Sequence, residues 1–182
     1  GAIGIYRANL DGSNPEAIAT GIGKPHDLAI DIVARKIYFT DQQNGIIYRS
    51  DLDGSNLETL LTGLGDRIRG IAVDPTGGKL YWANFAVGAI GIYRANLDGS
   101  NPEAIVTGIS GPHDLAIDTV AGKIYFTDIE SEIIYRSDLD GSNLETLLTG
   151  LGIDIRGIAL SGGDNNHFNT PEAIENLSYQ HT

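Results

Sequence analysis

The chain of 182 residues has no cysteine and no methionine. Without thiols it can build neither a disulfide framework nor a thiolate metal site, and nothing marks a redox compartment. Positive charge is scarce: 12 Lys and Arg stand against 24 Asp and Glu, a formal net charge of −12. That balance works against a nucleic-acid backbone or an anionic membrane surface as partner. No apolar run approaches the ~20 residues of a membrane span, and no secretory signal pattern is present. The chain opens in mid-repeat and without Met, as a processed chain or a piece of a longer one would.

What the chain does have is repetition. IYRANLDGSN at Ile5–Asn14 recurs as IYRSDLDGSN at Ile47–Asn56, IYRANLDGSN at Ile92–Asn101 and IYRSDLDGSN at Ile134–Asn143, with starts 42, 45 and 42 residues apart. A period of roughly 40–45 residues is that of one four-stranded propeller blade. A second level sits above it. A shift of 87 residues lays Gly1–Val73 on Gly88–Leu160 without a gap and with 12 differences over 73 positions. The duplicated unit is therefore a pair of blades, one type carrying PHDLAID and the other IRGIAVD or IRGIALS. Recent duplication and deliberate consensus design would both leave this pattern.

One period predicts four strands. His26–Asp31 alternates around a small Ala29, Lys36–Asp41 is rich in aromatic and branched residues, and Ile46–Leu52 and Leu57–Gly63 follow. Asp53-Gly54 is a hairpin turn, because Gly accepts positive φ and Asp tolerates it. The innermost strands carry Ala29, Ala72, Ala116 and Ala159 at one position, as crowding around a propeller axis would favour.

The motifs Tyr38-Phe39-Thr40-Asp41, Tyr81-Trp82-Ala83-Asn84 and Tyr125-Phe126-Thr127-Asp128, with the pattern IAVDPTGGKLYW followed by IYRANLDGSNPEAI, resemble the YWTD repeats of the low-density lipoprotein receptor family, its class B repeats. The resemblance covers roughly residues 1–160. It implies an all-β fold, a β-propeller of YWTD type used to bind other proteins, and an extracellular or secreted setting. Phe replaces the motif Trp twice and Ala-Asn replaces Thr-Asp once. The family closes six blades, whereas this chain has material for about four: three whole blades, the outer strands of another within residues 1–20, and an inner strand at Ile155–Leu160. Residues 161–182 form a divergent tail. Asp164–Asn169 stands where KLYWAN is expected, and Thr170-Pro171 suits a helix start, so helix or coil is expected there.

His26, Arg69, His113 and Arg156 share one position, at the start of the innermost strand. In a propeller that is the rim of the central channel. A His/Arg rim would attract anionic groups and respond to pH. The competing reading is that these side chains bond loop carbonyls or carboxylates such as Asp27 and Asp114. A metal-dependent enzyme of lactonase or lyase kind would use His26 and His113. The symmetric blades, however, supply no distinct acid and base. The DLDGSN loops share a composition with calcium loops, but Gly follows the second Asp directly, which fits the hairpin turn instead. No dinucleotide or phosphate-loop motif occurs, and Asn176-Leu177-Ser178 is a lone sequon.

The expectation is a non-catalytic binding or scaffolding propeller with no cofactor and no bound metal, recognising a protein or anionic ligand through His26, Arg69, His113 and Arg156. Open blade edges predict self-association, as a homodimer closing an eight-bladed ring, with a closed four-bladed monomer and a piece of a larger assembly or parent chain as the alternatives. The enzyme and a ligand-free structural or engineered array stay open as alternatives.

Overall fold

The computed structural model describes residues 3–151 and 155–160. Every regular element among them is a β-strand. β1 (Gly4–Arg7) and β2 (Glu16–Thr20) form an antiparallel pair. Three four-stranded antiparallel sheets follow in chain order. The first holds β3 (Pro25–Asp31), β4 (Lys36–Asp41), β5 (Ile46–Asp51) and β6 (Glu58–Leu61). The second holds β7 (Ile68–Asp74), β8 (Lys79–Asn84), β9 (Gly91–Asn96) and β10 (Glu103–Val106). The third holds β11 (Pro112–Asp118), β12 (Lys123–Asp128), β13 (Ile133–Asp138) and β14 (Glu145–Thr149). The first strand of each sheet is innermost, and β3, β7 and β11 are neighbours in that order.

The turns follow from local chemistry. In Asp51–Asn56 the Gly54 N–H donates to the Asp51 carbonyl at 2.9 Å, and the Asp53 carboxylate accepts from the Ser55 N–H at 2.9 Å. Gly54 at φ 84° and Asn56 at φ 53° take the two left-handed positions, which suit these residue types.

The core lies between blades rather than within them. Strand alternation sends successive side chains to opposite faces. In the motif Tyr81-Trp82-Ala83-Asn84, Trp82 therefore packs with Tyr38, Ile47 and Ile68 towards the preceding blade, while Tyr81 packs with Leu115 and Phe126 towards the following one. Phe39 repeats the Trp82 role against Ile5, Ala19 and Ile22. Each of these rings stacks on a tyrosine of the next strand: Phe39 on Tyr48, Trp82 on Tyr93 and Phe126 on Tyr135. Ala29 and Ala72 pack beneath the blade that follows each. The crowding that keeps them small is thus between neighbouring inner strands.

Polar joints recur with the same period. Arg7, Arg49 and Arg94 each donate through Nη1 to a carbonyl one blade onward, at Leu52 (3.0 Å), Leu97 (2.8 Å) and Leu139 (3.1 Å). Each guanidinium also pairs with a glutamate on its own outer strand. The Asp-Gly turns sit against the preceding outer strand. A side chain at Gly54 would strike the Ile18 carbonyl, one at Gly99 would lie 2.7 Å from the Leu60 oxygen, and one at Gly141 would strike the Ile105 carbonyl.

Ile155–Leu160 follows the third blade without a strand assignment. Its backbone bonds to that blade through the Ile158 N–H, which donates to Asp114 Oδ2 at 2.9 Å, and through the Arg156 carbonyl, 2.9 Å from His113 Nδ1. The divergent tail, with its expected helix or coil, lies outside the described residues.

Candidate ligand-binding rim

His26, Arg69 and His113 stand in β-bulges. In the β3–β4 register Pro25 faces Asp41 and Leu28 faces Phe39, so His26 and Asp27 together oppose Thr40 alone. The same irregularity falls between Ile68 and Ile71 and between Pro112 and Leu115. A bulge places two consecutive side chains out of the normal alternation and re-aims them. Here one of the two is the His or Arg of the rim. The other, in the PHDLAID blades, is an aspartate.

The structure brings His26 and His113 together although a whole blade separates them in sequence. Their rings meet edge to face with centroids 5.1 Å apart. His113 Nδ1 lies 2.9 Å from the Arg156 carbonyl, which only accepts, so Nδ1 carries the proton. Arg69 lies over the Phe85 ring at 5.5 Å, with Arg67 over the same ring at 5.4 Å. Cations over an aromatic face gain a modest electrostatic attraction. Arg69 Nε and His26 Nδ1 are buried without a hydrogen-bond partner. Arg156 is exposed.

The electrostatics are set by burial first and by the arginine charges second. Burial holds His113 down at about 4, with the Arg69 charge adding to the effect. His26 is also lowered, first by burial and then by Arg69. Burial and the charges of Arg156 and Arg67 lower Arg69. The nearby aspartates are turned to other work. Asp27 Oδ2 accepts from the Ile71 N–H at 2.8 Å, and Asp114 Oδ2 from the Ile158 N–H, so both carboxylates tie one blade to the next. Burial raises Asp114 to about 6; the Ile158 bond opposes this, and the Asp27 charge adds to it. His113 bonds a loop carbonyl, whereas His26 Nδ1 and Arg69 Nε have no hydrogen-bond partner.

The sequence reading missed Phe85 and Arg67, which flank the rim. A signal existed: Phe85 directly follows the motif residue Asn84, where the PHDLAID blades have Gln42 or Ile129. It also missed the bulge, which depends on pairing. The motif aspartates act structurally. Asp41 accepts from the Gly23 and Lys24 N–H groups at 2.9 and 3.0 Å, and Asp128 does the same for Ser110 and Gly111 at 2.7 and 2.9 Å. The motif Thr40 donates to the Arg69 carbonyl at 3.0 Å, another tie between blades. Among the described residues no three His, Asp or Glu side chains gather to hold a metal ion. No helix among them is long and apolar enough to cross a membrane.

Antiparallel four-stranded blades packed in series around inner strands define a β-propeller. The family model described as low-density lipoprotein receptor repeat class B matches residues 35–75 and 122–174, more than half of the chain, and the chain belongs to that family. It is 34% identical over 131 residues to the human low-density lipoprotein receptor-related protein 5-like protein, covering 71% of this chain and 52% of that one. It is 34% identical over 125 residues to the vitellogenin receptor Yl of Drosophila melanogaster, covering 68% of this chain and 6% of that one. The chain therefore spans about half of the first of these relatives and a small part of the second. Among solved structures it is similar to a chain in the crystal structure of a nidogen/laminin complex, with TM-score 0.77 and 26% identity over 82% of this chain and 58% of that one. A gluconolactonase from Xanthomonas campestris shares the fold at TM-score 0.68 and 20% identity, over 82% of this chain and 56% of that one. The fold alone thus serves enzymes as well as receptor modules.

Proposed function

We propose that this propeller is a non-catalytic protein-binding module whose channel rim engages an acidic group of its partner. The observation that carries this reading is the convergence of His26, Arg69 and His113, with buried Arg69 Nε and His26 Nδ1 lacking partners, in a chain of net charge −12. Local positive potential inside an acidic molecule selects for an anion there and repels other acidic surfaces elsewhere. Arg156 extends the rim to solvent. The receptor relatives and the nidogen neighbour, crystallised with laminin, support a protein partner and an extracellular setting. Binding needs no cofactor. We also propose self-association of the chain, as a homodimer closing an eight-bladed ring.

The test is a binding panel of acidic peptides and their Asn/Gln counterparts. The expected result is selective binding of the acidic members and loss of that selectivity in Arg69→Ala with Arg156→Ala. Equal binding of both sets by the wild-type chain removes the rim from recognition. Turnover of a lactone panel that depends on His26 and His113 would favour the enzyme reading instead.

A further inference from the structure

The two copies of the blade pair differ at 12 of 73 positions, and the differences are not spread evenly. Register gathers the β2–β3, β4–β5 and β6–β7 connections at one end of the first blade: Pro25 faces Asp41, Asp41 faces Ile46, and Leu61 faces Ile47. The rim bulge of β3 lies at that end. Eight of the 12 differences fall there, at residues 23–24, 42–45 and 66–67. The loops at the opposite end carry two, at Ile32 and Arg35, and keep DLDGSN unchanged. Copying makes the two halves alike, so change concentrated at one end marks where the blades differ in task. Loops on a rigid scaffold commonly carry recognition.

The changes are also changes of charge. The first copy has Lys24 and Arg67 where the second has Gly111 and Asp154. It has Gln43 and Gly45 where the second has Glu130 and Glu132. Two of these changes are matched in space. A side chain at Gly111 would meet Glu130 Cγ at 2.5 Å and the Glu130 N at 3.0 Å, so the glycine in place of Lys24 makes room for Glu130. This end is thus basic where the first and second blades meet and acidic over the third.

The basic part is built around Phe85. Arg67 and Arg69 lie over its ring at 5.4 and 5.5 Å, and the Phe85 N–H donates to the Arg67 carbonyl at 2.9 Å. Arg7, Arg49, Arg94 and Arg136 each pair with a glutamate, whereas Arg67 and Arg69 pair with no carboxylate among the described residues. Two guanidiniums beside one ring repel each other until an anion joins them, and their planar forks suit a carboxylate. The inner strand of the second blade packs against β3 on one side and β11 on the other, so the exposure of Arg67 does not come from an open junction.

We propose that this end binds a short peptide segment of mixed charge, a carboxylate side chain followed by a cationic one. The proposal rests on the rim reading above and names the ligand for it. Arg67 and Arg69 take the carboxylate beside Phe85. The segment then crosses the rim to the third blade, where Glu130 and Glu132 take its Lys or Arg. A uniformly anionic ligand is rejected, because those glutamates oppose it in a chain of net charge −12.

The experiment measures the affinity of the 182-residue chain for a set of synthetic peptides, at low and at raised salt. One has Asp and Lys spaced by alanines, one has Ala in place of the Lys, one has Glu in its place, and one has Asn in place of the Asp; each is made with several spacer lengths. The expected order at the second position is Lys, then Ala, then Glu, with steps of about two- to fivefold that shrink as salt rises. Arg67→Asp, which installs the residue of the second copy, is expected to weaken the Asp peptides by about tenfold. Glu130→Gln with Glu132→Gly, which installs the residues of the first copy, is expected to level the Lys and Ala peptides and to keep the preference for Asp over Asn. Equal binding of the Asp and Asn peptides by the wild-type chain, or no binding of any, overturns the rim reading and this inference with it. A preference for Asp that ignores the second position overturns the mixed-charge ligand and leaves the rim reading standing. Tightest binding by the Glu peptide, or by a heparin fragment, assigns this end to a polyanion and also overturns the inference. Selectivity unchanged in both variants overturns the placement on Arg67, Glu130 and Glu132.

Discussion

β3 and β11 are the same seven residues, PHDLAID, in two environments. In β11 the second blade covers the strand: Leu115 is 4% exposed and His113 is buried. β3 has no inner strand packed on its other side among the described residues, Leu28 is 41% exposed, and His26 is only partly buried. Identical sequence, identical pairing with the following strand and the same bulge thus give one core strand and one open face. Burial in a repeat array is a property of the neighbour, since each unit buries its face only by stacking. The chemistry follows the burial: Asp114, beside the covered strand, is pushed up to about 6, and His113 down to about 4.

The comparison breaks most readily at its apolar position. Leu115→Ala is expected to cost about 2–5 kcal/mol, because it opens a cavity in a filled core. Leu28→Ala in the monomer is expected to stay within about 0.5 kcal/mol, as exposed substitutions do. Denaturant melts of the two variants check this, and equal losses would show that β3 is covered in solution.

The glycine pair is the next largest contrast. Gly70→Ala places a methyl 2.8 Å from the Asp114 Cα, a backbone contact that cannot rotate away. Its expected cost is about 1–3 kcal/mol. Gly157→Ala meets only a carboxylate oxygen at 3.9 Å and is expected to leave monomer stability unchanged. Thermal unfolding under monomeric conditions compares them directly.

Acid sharpens the comparison further. His113 has a folded value near 4, below its ordinary 6.5, so the unfolded chain takes up the proton first. Its stabilising contribution is complete above pH ~6.5 and is lost as pH falls towards 4. Asp114 acts oppositely. Its folded value near 6 exceeds its ordinary 3.8, so it costs stability above pH ~6, and that cost fades as pH falls towards 3.8. The two slopes oppose each other between pH 4 and 6. Relative to wild type, Asp114→Asn is expected to lose stability more steeply over that window, and His113→Gln less steeply. Urea midpoints at a series of pH values give the two difference profiles, and profiles of the same sign would refute the opposition.

The smallest contrast is at the outer joint. Arg49 donates to the Leu97 carbonyl at 2.8 Å, whereas Arg136 has its own Glu145 and Tyr125 but no carbonyl of a following blade among the described residues. Arg49→Ala is expected to exceed Arg136→Ala by about 1 kcal/mol, one hydrogen bond's net contribution. Chemical denaturation of the two variants checks this, and equal costs would show that the bond across blades contributes nothing net.

Much of this architecture was legible in the residues. Aromatic and branched runs closed by Asp-Gly turns mark strands and hairpins, because alternation and left-handed turn positions are local properties. The recurrence of those runs at a blade's length gave the propeller. The rim position of His26, Arg69, His113 and Arg156 was legible as an equivalence, but their arrangement was not. The bulge that aims them depends on the register of two strands. The 5.1 Å approach of His26 to His113 depends on how three inner strands sit around one channel. Asp27 and Asp114 read as carboxylate partners for the rim. They proved to be ties between blades, accepting from the backbone N–H groups of Ile71 and Ile158.

The sequence by itself determined the strand order, the turns, the blade period, the two alternating blade types and the membership in a propeller family, all of which rest on local preference repeated at fixed spacing. Only the tertiary structure decided which of two identical strands is core and which is an open face, which carboxylate is raised, and which arginine and histidine nitrogens stand without a partner. Those properties depend on desolvation and on contacts across blades, and a repeated sequence has the same letters whether or not a neighbour is present.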